Sequence, residues 1–409
     1  VRIDDFFGGH VAVLGNTGSG KSCTVASILQ ALFEKPDEHH ARGATFVVLD
    51  VNGEYGRAVG RLSEIADIGV ERLILDGSAS EGCFRLPHWF LDQSEWELLL
   101  QASERTQVPI LRMALGLATL FGAADAGQLN IIRNHMLATC ITQILSDETP
   151  PGAKETRIRG VLQRFSTAEI NIGNLGGWIS VSYGNMVGTD EAHGYLGRDD
   201  HNDGFIVPNL KLPDYNGTPF DFSALGDAID LALLYEEAHG NRQIRDYCAQ
   251  MVTRFKALEE RGDYRFLRHD AAAAGDRSTF LANLLGLNPI DGGHTKRAQI
   301  VIIDMNAVED EVVELVSAVI ARMIFRVLRQ AEPRNRFPVH LLLEEAHRYV
   351  ASTPSRYALD ASRIFERISK EGRKYGLFLL VASQRPSELS KTVLSQCSNF
   401  VFHRIQNPD

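Results

Sequence analysis

Long uninterrupted apolar runs are missing from this 409-residue chain. The longest, such as residues 110–124, is broken by Arg112 and falls short of the ~20 residues a membrane-spanning helix requires. No membrane association is expected. Cysteine is scarce as well. Cys23, Cys83, Cys140, Cys248 and Cys397 are odd in number, widely scattered and without CxxC spacing. Neither a disulfide framework nor a zinc site is therefore expected, and a reduced, cytoplasmic setting fits best. His39, His40, His193 and His201 lie in polar stretches with no cluster to complete a histidine-built metal site. No internal repeat, low-complexity tract or secretory signal is visible, and the start at Val1 rather than Met reads as the edge of an ordered region. Aromatic residues do not interleave with basic ones, so base stacking and sequence readout are not indicated.

What is present is an ordinary globular mixture: 44% hydrophobic and 23% charged residues. The length suits two or three domains of ~150 residues. With 42 Lys and Arg against 52 Asp and Glu the net charge is −10. That balance argues against a protein that coats nucleic acid over its whole surface. It leaves room for a basic strip, because recognition depends on local charge.

Strand and helix signals alternate at both ends of the chain. Residues 11–14, 45–49 and 72–75 read as strands, with a helical pattern over 21–34. Runs that are apolar on both faces suit central parallel strands covered by helices. From about residue 87 to 162 the spacing is helical, with segments at 94–105, 108–121 and 129–145. Residues 171–221 are rich in Gly, Asn, Asp and Pro and read as loops, followed by helices at 224–238 and 243–261. The α/β rhythm then returns, with strands at 299–303, 339–343, 377–382 and 399–403 and helices at 309–329 and 358–374. The reading is one doubly wound α/β sheet split by a mainly helical insertion. Its parts are residues 1–85, the insertion 86–240, and 241–409.

The segment Gly15-Asn16-Thr17-Gly18-Ser19-Gly20-Lys21-Ser22 satisfies G-x-x-x-x-G-K-[ST] at every position, between an apolar strand and a helix. Glycines let the backbone curl so that successive N–H groups face phosphate oxygens, and the helix N-terminus adds partial positive charge. Together with Cys23 these residues are the expected ATP-binding set. Lys21 would reach the β- and γ-phosphates, and the Ser22 hydroxyl would ligate Mg²⁺. The chain is thus expected to be a P-loop NTPase of the RecA-like ASCE class.

Hydrolysis needs acids from another strand. Strand 339–343 ends in Glu344 and Glu345. Glu344 would hold the Mg²⁺ shell through water, and Glu345 would polarise the attacking water. Asp304, at the end of strand 299–303, is a rival without a second carboxylate; otherwise it reads as a helix-capping residue. Gln384 follows strand 377–382, where a polar side chain can sense γ-phosphate or orient water.

Six strings carry a resemblance: Gly15–Ser22, Asp50-Val-Asn-Gly-Glu54-Tyr55, Glu344-Glu-Ala-His347, Glu371-Gly-Arg373-Lys-Tyr-Gly376, Ser383-Gln-Arg-Pro-Ser387, and Leu394-Ser-Gln-Cys397 with the following segment His403–Pro408. In that order they resemble the HerA branch of the HerA/FtsK ATPases, over roughly residues 1–80 and 240–409. The resemblance implies a homo-hexameric ring that moves double-stranded DNA through its pore with ATP. It also implies a partner: a NurA-like nuclease, or a sirtuin-like or other effector in antiviral defence. The family's small N-terminal β-barrel and C-terminal segment are expected to be absent here. Two departures are Glu344, where Asp is commoner as the first acid, and Lys370 in place of Arg before Glu371-Gly-Arg373.

In such rings a neighbour's cation reaches the transition state, and the family pattern places it at Arg373, with Arg367, Lys370 and Arg385 as alternatives. A solvated charge at a helix end is the plainer reading of Arg373. Glu54 and Asp50 either line the nucleotide side of the sheet or cap a turn. Residues 351–404 hold nine Lys and Arg against four Asp and Glu. Arg356, Arg385 and Lys391 are therefore candidates to face DNA phosphates. A solvated face or a subunit interface would explain the same charges. An ATP-gated scaffold that assembles and activates an effector with little translocation is the alternative function. A conjugation-type coupling ATPase is a third, but it usually carries membrane segments.

Overall fold

The computed structural model describes residues 3–34, 44–64, 68–75, 82–103, 105–121, 126–197, 204–241, 243–273, 277–285, 298–353 and 359–404. They form two compact units. The first comprises 1–99, 261–267 and 275–409, and the second 100–260 and 268–274.

The strands in chain order are β1 (His10–Leu14), β2 (Thr45–Asp50), β3 (Gly69–Ile74), β4 (Val181–Ser182), β5 (Asn185–Met186), β6 (Ala298–Asp304), β7 (Val339–Leu343), β8 (Leu377–Ser383) and β9 (Cys397–Phe402). All but β4 and β5 make one sheet in the first unit, ordered β3-β6-β2-β7-β8-β1-β9. Every neighbouring pair in it is parallel. Every residue of β1, β2, β7 and β8 is buried, as their continuous apolar runs require. The edge strand β9 alternates partly covered and exposed positions after the buried Cys397 and leaves the stacked rings of Phe400 and Phe402 facing outward.

Helix Lys21–Phe33 covers one face, where Val25, Leu29 and Phe33 pack with Val11, Val13, Phe46, Val48, Ile300, Ile302, Leu342 and Leu380. Alternate residues such as Val47, Leu49, Leu341 and Leu343 point to the other face and are equally buried. Helix Asp310–Gln330 buries a continuous apolar stripe and starts with Asp310 and Glu311, which suit the positive end of its dipole. Its Arg322 reaches Glu95 at 2.6 and 2.7 Å and the Phe90 carbonyl at 2.7 Å, docking the short helix Gln93–Leu99. Near the start of the central strands His340 is stacked between Phe46 and Phe378, with ring centroids 4.7 and 5.1 Å away. The expected strands all form, and the fold is the doubly wound P-loop ASCE architecture.

The second unit is mainly helical, with Gln107–Phe121, Ala126–Ser146, Pro151–Phe165, Ala224–Ala238 and Ile244–Glu260 as its long helices. Gly116 lets the Pro213 carbonyl lie so close to helix Gln107–Phe121 that no Cβ would fit between them. The helix expected over 94–105 stops at Leu99. The backbone is left-handed at Gln101 (φ 45°), and the Gln107 side chain accepts from Ser103 N at 2.9 Å to open the next helix. The stretch 171–221 is less irregular than its composition suggests. It contains helices Ile172–Leu175 and Thr189–Leu196 and the antiparallel hairpin β4–β5, turning through Tyr183 and Gly184 at positive φ. Among the described residues no helix is long and apolar enough to cross a membrane.

Candidate nucleotide site

The phosphate loop lies at the C-terminal end of β1. Gly18 (φ 73°) and Gly20 (φ 92°) hold left-handed conformations with open space where a Cβ would go, so backbone freedom rather than room demands glycine there. Gly15 is different: a Cβ would sit 2.5 Å from that of His403. The loop is tied down from both neighbouring strands. Gly15 N donates to the Ser383 carbonyl at the end of β8, and Asn16 N donates to the Arg404 carbonyl just past β9. His403 Nδ1 lies 2.9 Å from the Ser19 carbonyl. Lys21 is buried and donates to its own loop at the Asn16 carbonyl, 3.0 Å away, an internal stand-in for a phosphate oxygen. Cys23 is exposed in the first helical turn.

Strand order decides what meets this loop. β8 separates β7 from β1, so the tips of all three converge. Glu344 at the end of β7 has Oε1 3.4 Å from Ser22 Oγ. Asn52 N and Nδ2 donate to the same carboxyl at 3.3 and 3.4 Å. Gln384, past the end of β8, accepts a hydrogen bond from the Thr17 hydroxyl. Glu345 adopts a left-handed backbone, φ 45° and ψ 44°, and its Oε2 is buried without a hydrogen-bond donor among the described residues. His347 Nδ1 lies 3.3 Å from the same oxygen. A buried carboxylate oxygen left open is a proton acceptor in search of a donor.

The donor set fits a hard dication. Glu344 is 3% exposed, and its pKa is raised far above the usual carboxylate range, first by burial and then by hydrogen bonding and charge from Asp50. Two neighbouring buried acids beside a hydroxyl, with no Lys or Arg ion-paired to Glu344 among the described residues, match the oxygen-rich, charge-hungry environment that Mg²⁺ fills next to phosphates. Ser22 and Glu344 are the residues placed to hold it, Glu344 across a gap wide enough for water. Asp50 does both things the sequence left open. It accepts from Glu54 N and Tyr55 N at 3.1 and 2.9 Å, capping the turn, and it lies beside Glu344. Tyr55 is 1% exposed, and burial followed by Glu344 and Asp50 pushes its pKa up, with the nearby Ser22 hydroxyl opposing. Asn52, Tyr55 and His347 were legible only as members of motif strings, because their partners lie up to 292 residues away.

Asp304 is otherwise employed. It ends β6, which β2, β7 and β8 separate from β1, and it is ion-paired to Arg72 while accepting from Asn306 N at 3.1 Å. Arg373 is not with the other expected catalytic residues. It is exposed in the turn Gly372–Tyr375 that leads into the start of β8, the opposite end of the sheet from the loop. Its charge is felt instead by His10 at the start of β1. Of the alternatives, Arg367 pairs with Glu371 at 3.6 Å, Lys370 is exposed, and Arg385 pairs with Glu388 at 3.2 Å on the loop side of the sheet. Lys391 is exposed at the start of helix Lys391–Ser395. Arg356, His39, His40 and His201 lie outside the described residues. Among the described residues no three His, Cys, Asp or Glu side chains cluster as a metal site.

Residues 1–166 match the family described as Helicase HerA, central domain. The match runs through 86–166, where the sequence carries no recognisable family string. A probable helicase of Methanocaldococcus jannaschii is 27% identical over 180 residues, 42% of this chain and 34% of that protein. The DNA double-strand break repair helicase HerA of Pyrococcus furiosus is 43% identical over 76 residues, 19% of this chain and 13% of that one. The matched parts thus span about a third or less of these relatives. The solved structure of VirB4 of Thermoanaerobacter pseudethanolicus aligns with 92% of this chain and 70% of its own at 15% identity, with a TM-score of 0.45. With the phosphate loop, the paired acids after β7 and the interposed β8 in place, the chain carries the P-loop ATPase fold, and its residues 1–166 are similar to the central domain of the HerA helicases.

Proposed function

We propose that this protein is an ATP-hydrolysing, Mg²⁺-dependent motor that moves double-stranded DNA as a homo-hexamer beside a nuclease or other effector, in DNA end processing or antiviral defence. The observation that carries the reading is the contact of Glu344 with Ser22 and of Gln384 with Thr17 on the phosphate loop, with Glu345 adjacent in sequence to Glu344. Lys21 would exchange the Asn16 carbonyl for the β- and γ-phosphates. Ser22 and Glu344 would hold Mg²⁺, which when bound neutralises developing phosphate charge. Glu345, with its open Oε2, would take the proton from the attacking water, and Gln384 would orient that water or report the γ-phosphate. Arg373, at the far end of its own sheet, is suited only to a nucleotide held by another copy, where a planar, always-charged guanidinium spreads over phosphate oxygens. That supports the ring. The relatives' names, helicase and DNA double-strand break repair helicase, support the DNA substrate. Arg385, Lys391 and Arg356 are the candidate phosphate contacts.

The test is ATP turnover with and without duplex DNA, followed by triplex displacement without any effector. Lys21→Ala should abolish nucleotide binding. Glu345→Gln should keep binding and lose ~10²–10⁴-fold in kcat. Arg373→Ala mixed with wild-type subunits should poison turnover beyond its own share. DNA-stimulated hydrolysis that survives both Lys21→Ala and Glu345→Gln would refute the mechanism. Hydrolysis without triplex displacement would favour the scaffold reading over the motor.

A further inference from the structure

His347 has no part in the roles assigned so far, yet it stands between two of the groups that do. Glu345 is held in the left-handed region, a conformation unfavourable for a non-glycine residue, and so it needs local support. The turn Ala346–Arg348 follows at once, closed by Arg348 N donating to the Glu345 carbonyl at 2.9 Å and by Val350 N donating to the Ala346 carbonyl at 2.7 Å. This turn folds His347 back over the site, with its side chain 9% exposed. Nδ1 lies 3.3 Å from Glu345 Oε2 and 3.2 Å from Ser383 Oγ, the last residue of β8.

Ser383 is itself fixed. Its hydroxyl accepts from Arg385 N at 3.1 Å, and its carbonyl accepts from Gly15 N at 3.3 Å. Gln384, between Ser383 and Arg385, takes the Thr17 hydroxyl. A continuous polar path therefore runs from the phosphate loop through the tip of β8 and His347 to the Glu345 carboxylate. Burial lowers the pKa of His347, with Arg385 and Lys21 adding to the effect and Glu345 opposing it, so the ring is neutral near pH 7. Nδ1 is hydrogen-bonded to Ser383 Oγ, and the Glu345 carboxylate oxygen 3.3 Å from the same nitrogen favours the tautomer with the proton there.

We propose that His347 is a positioning residue for hydrolysis: it aims the Glu345 carboxylate at the attacking water and ties that aim to the tip of β8 beside Gln384. The proposal rests on the reading of Glu345 as the water-activating group. A misaimed base costs turnover rather than affinity, because the nucleotide is held by the phosphate loop and not by Glu345.

The experiment compares the full chain with Glu345→Gln, His347→Ala and His347→Asn in steady-state ATP hydrolysis, alongside equilibrium binding of a fluorescent ATP analogue. Asparagine is chosen because its side-chain N–H can occupy the place of imidazole Nδ1–H. Expected are an active wild type, an inactive Glu345→Gln, and His347→Ala reduced about 10–100-fold in kcat with KM and analogue affinity unchanged. His347→Asn should regain most of the turnover. The inference is overturned if His347→Ala keeps wild-type kcat while Glu345→Gln is inactive. It is equally overturned if His347→Ala and His347→Asn lose kcat and affinity together, as a merely structural histidine would. Full turnover in Glu345→Gln would bring down the underlying reading as well, and that result is visible without any His347 variant.

Discussion

His340 offers a clean measurement on the sheet that carries the site. Its ring is sandwiched between Phe46 and Phe378, and burial lowers its pKa to about 3. Burial likewise lowers His10, on β1, to about 4. The unfolded chain takes up a proton near pH 6.5, while the folded sheet refuses it until far lower pH. Between those limits the unfolded state holds the extra proton, so stability is full above about pH 6.5 and falls as pH drops. The slope is about 1.4 kcal/mol per pH unit per histidine. For His340 alone, acidification from pH 8 to pH 5 should remove about 2 kcal/mol. Replacing it with phenylalanine keeps the stacked rings and deletes the titration. Urea unfolding of wild type and His340→Phe at pH 8 and pH 5 is followed by tryptophan fluorescence, which reports this unit through the buried Trp89 and Trp96. The variant should lose about 2 kcal/mol less than wild type over that interval. Parallel pH dependences would refute the claim that the ring is buried neutral.

Three further outcomes follow from the same structure. Arg322→Ala leaves Glu95, 2% exposed, without its countercharge and should destabilise the first unit by ~3–5 kcal/mol in urea unfolding, whereas replacing both partners with methionine should cost far less. Gly20→Ala forces a side chain into φ 92° at the start of the phosphate-loop helix; nucleotide binding should fall sharply in calorimetric titration while the far-UV spectrum stays native. Ser22→Ala with Glu344→Gln should abolish the Mg²⁺ dependence of nucleotide affinity, and Glu344→Gln alone should raise the metal-free melting temperature by removing a buried, uncompensated acid.

How much of this was legible in the chain itself is clearest in its strands and motifs. A continuous β-branched run such as 299–303 is apolar on both faces, and only a covered parallel strand satisfies that, whatever its neighbours. The phosphate loop is local too, because eight consecutive residues supply the curl, the amides, the cation and the hydroxyl. Glu344 and Glu345 were recognisable as adjacent acids at the end of a strand.

Other features depended on segments hundreds of residues apart. Asp304 looked like a rival acid until the structure placed Arg72 against it and three strands between it and β1. Arg373 read as a cation supplied to a neighbouring subunit, and only the fold shows that it lies at the opposite end of the sheet from its own phosphate loop. Asp50 could have been a cap or a site residue and is both, while Asn52, Tyr55 and His347 show their significance only through Glu344, Glu345 and Ser383. Sequence periodicity records which side of an element is buried, because burial acts on each residue where it stands. The order of strands in a sheet is settled by packing among distant segments, and here that order, β7-β8-β1, is what brings the acids, the glutamine and the phosphate loop to one place.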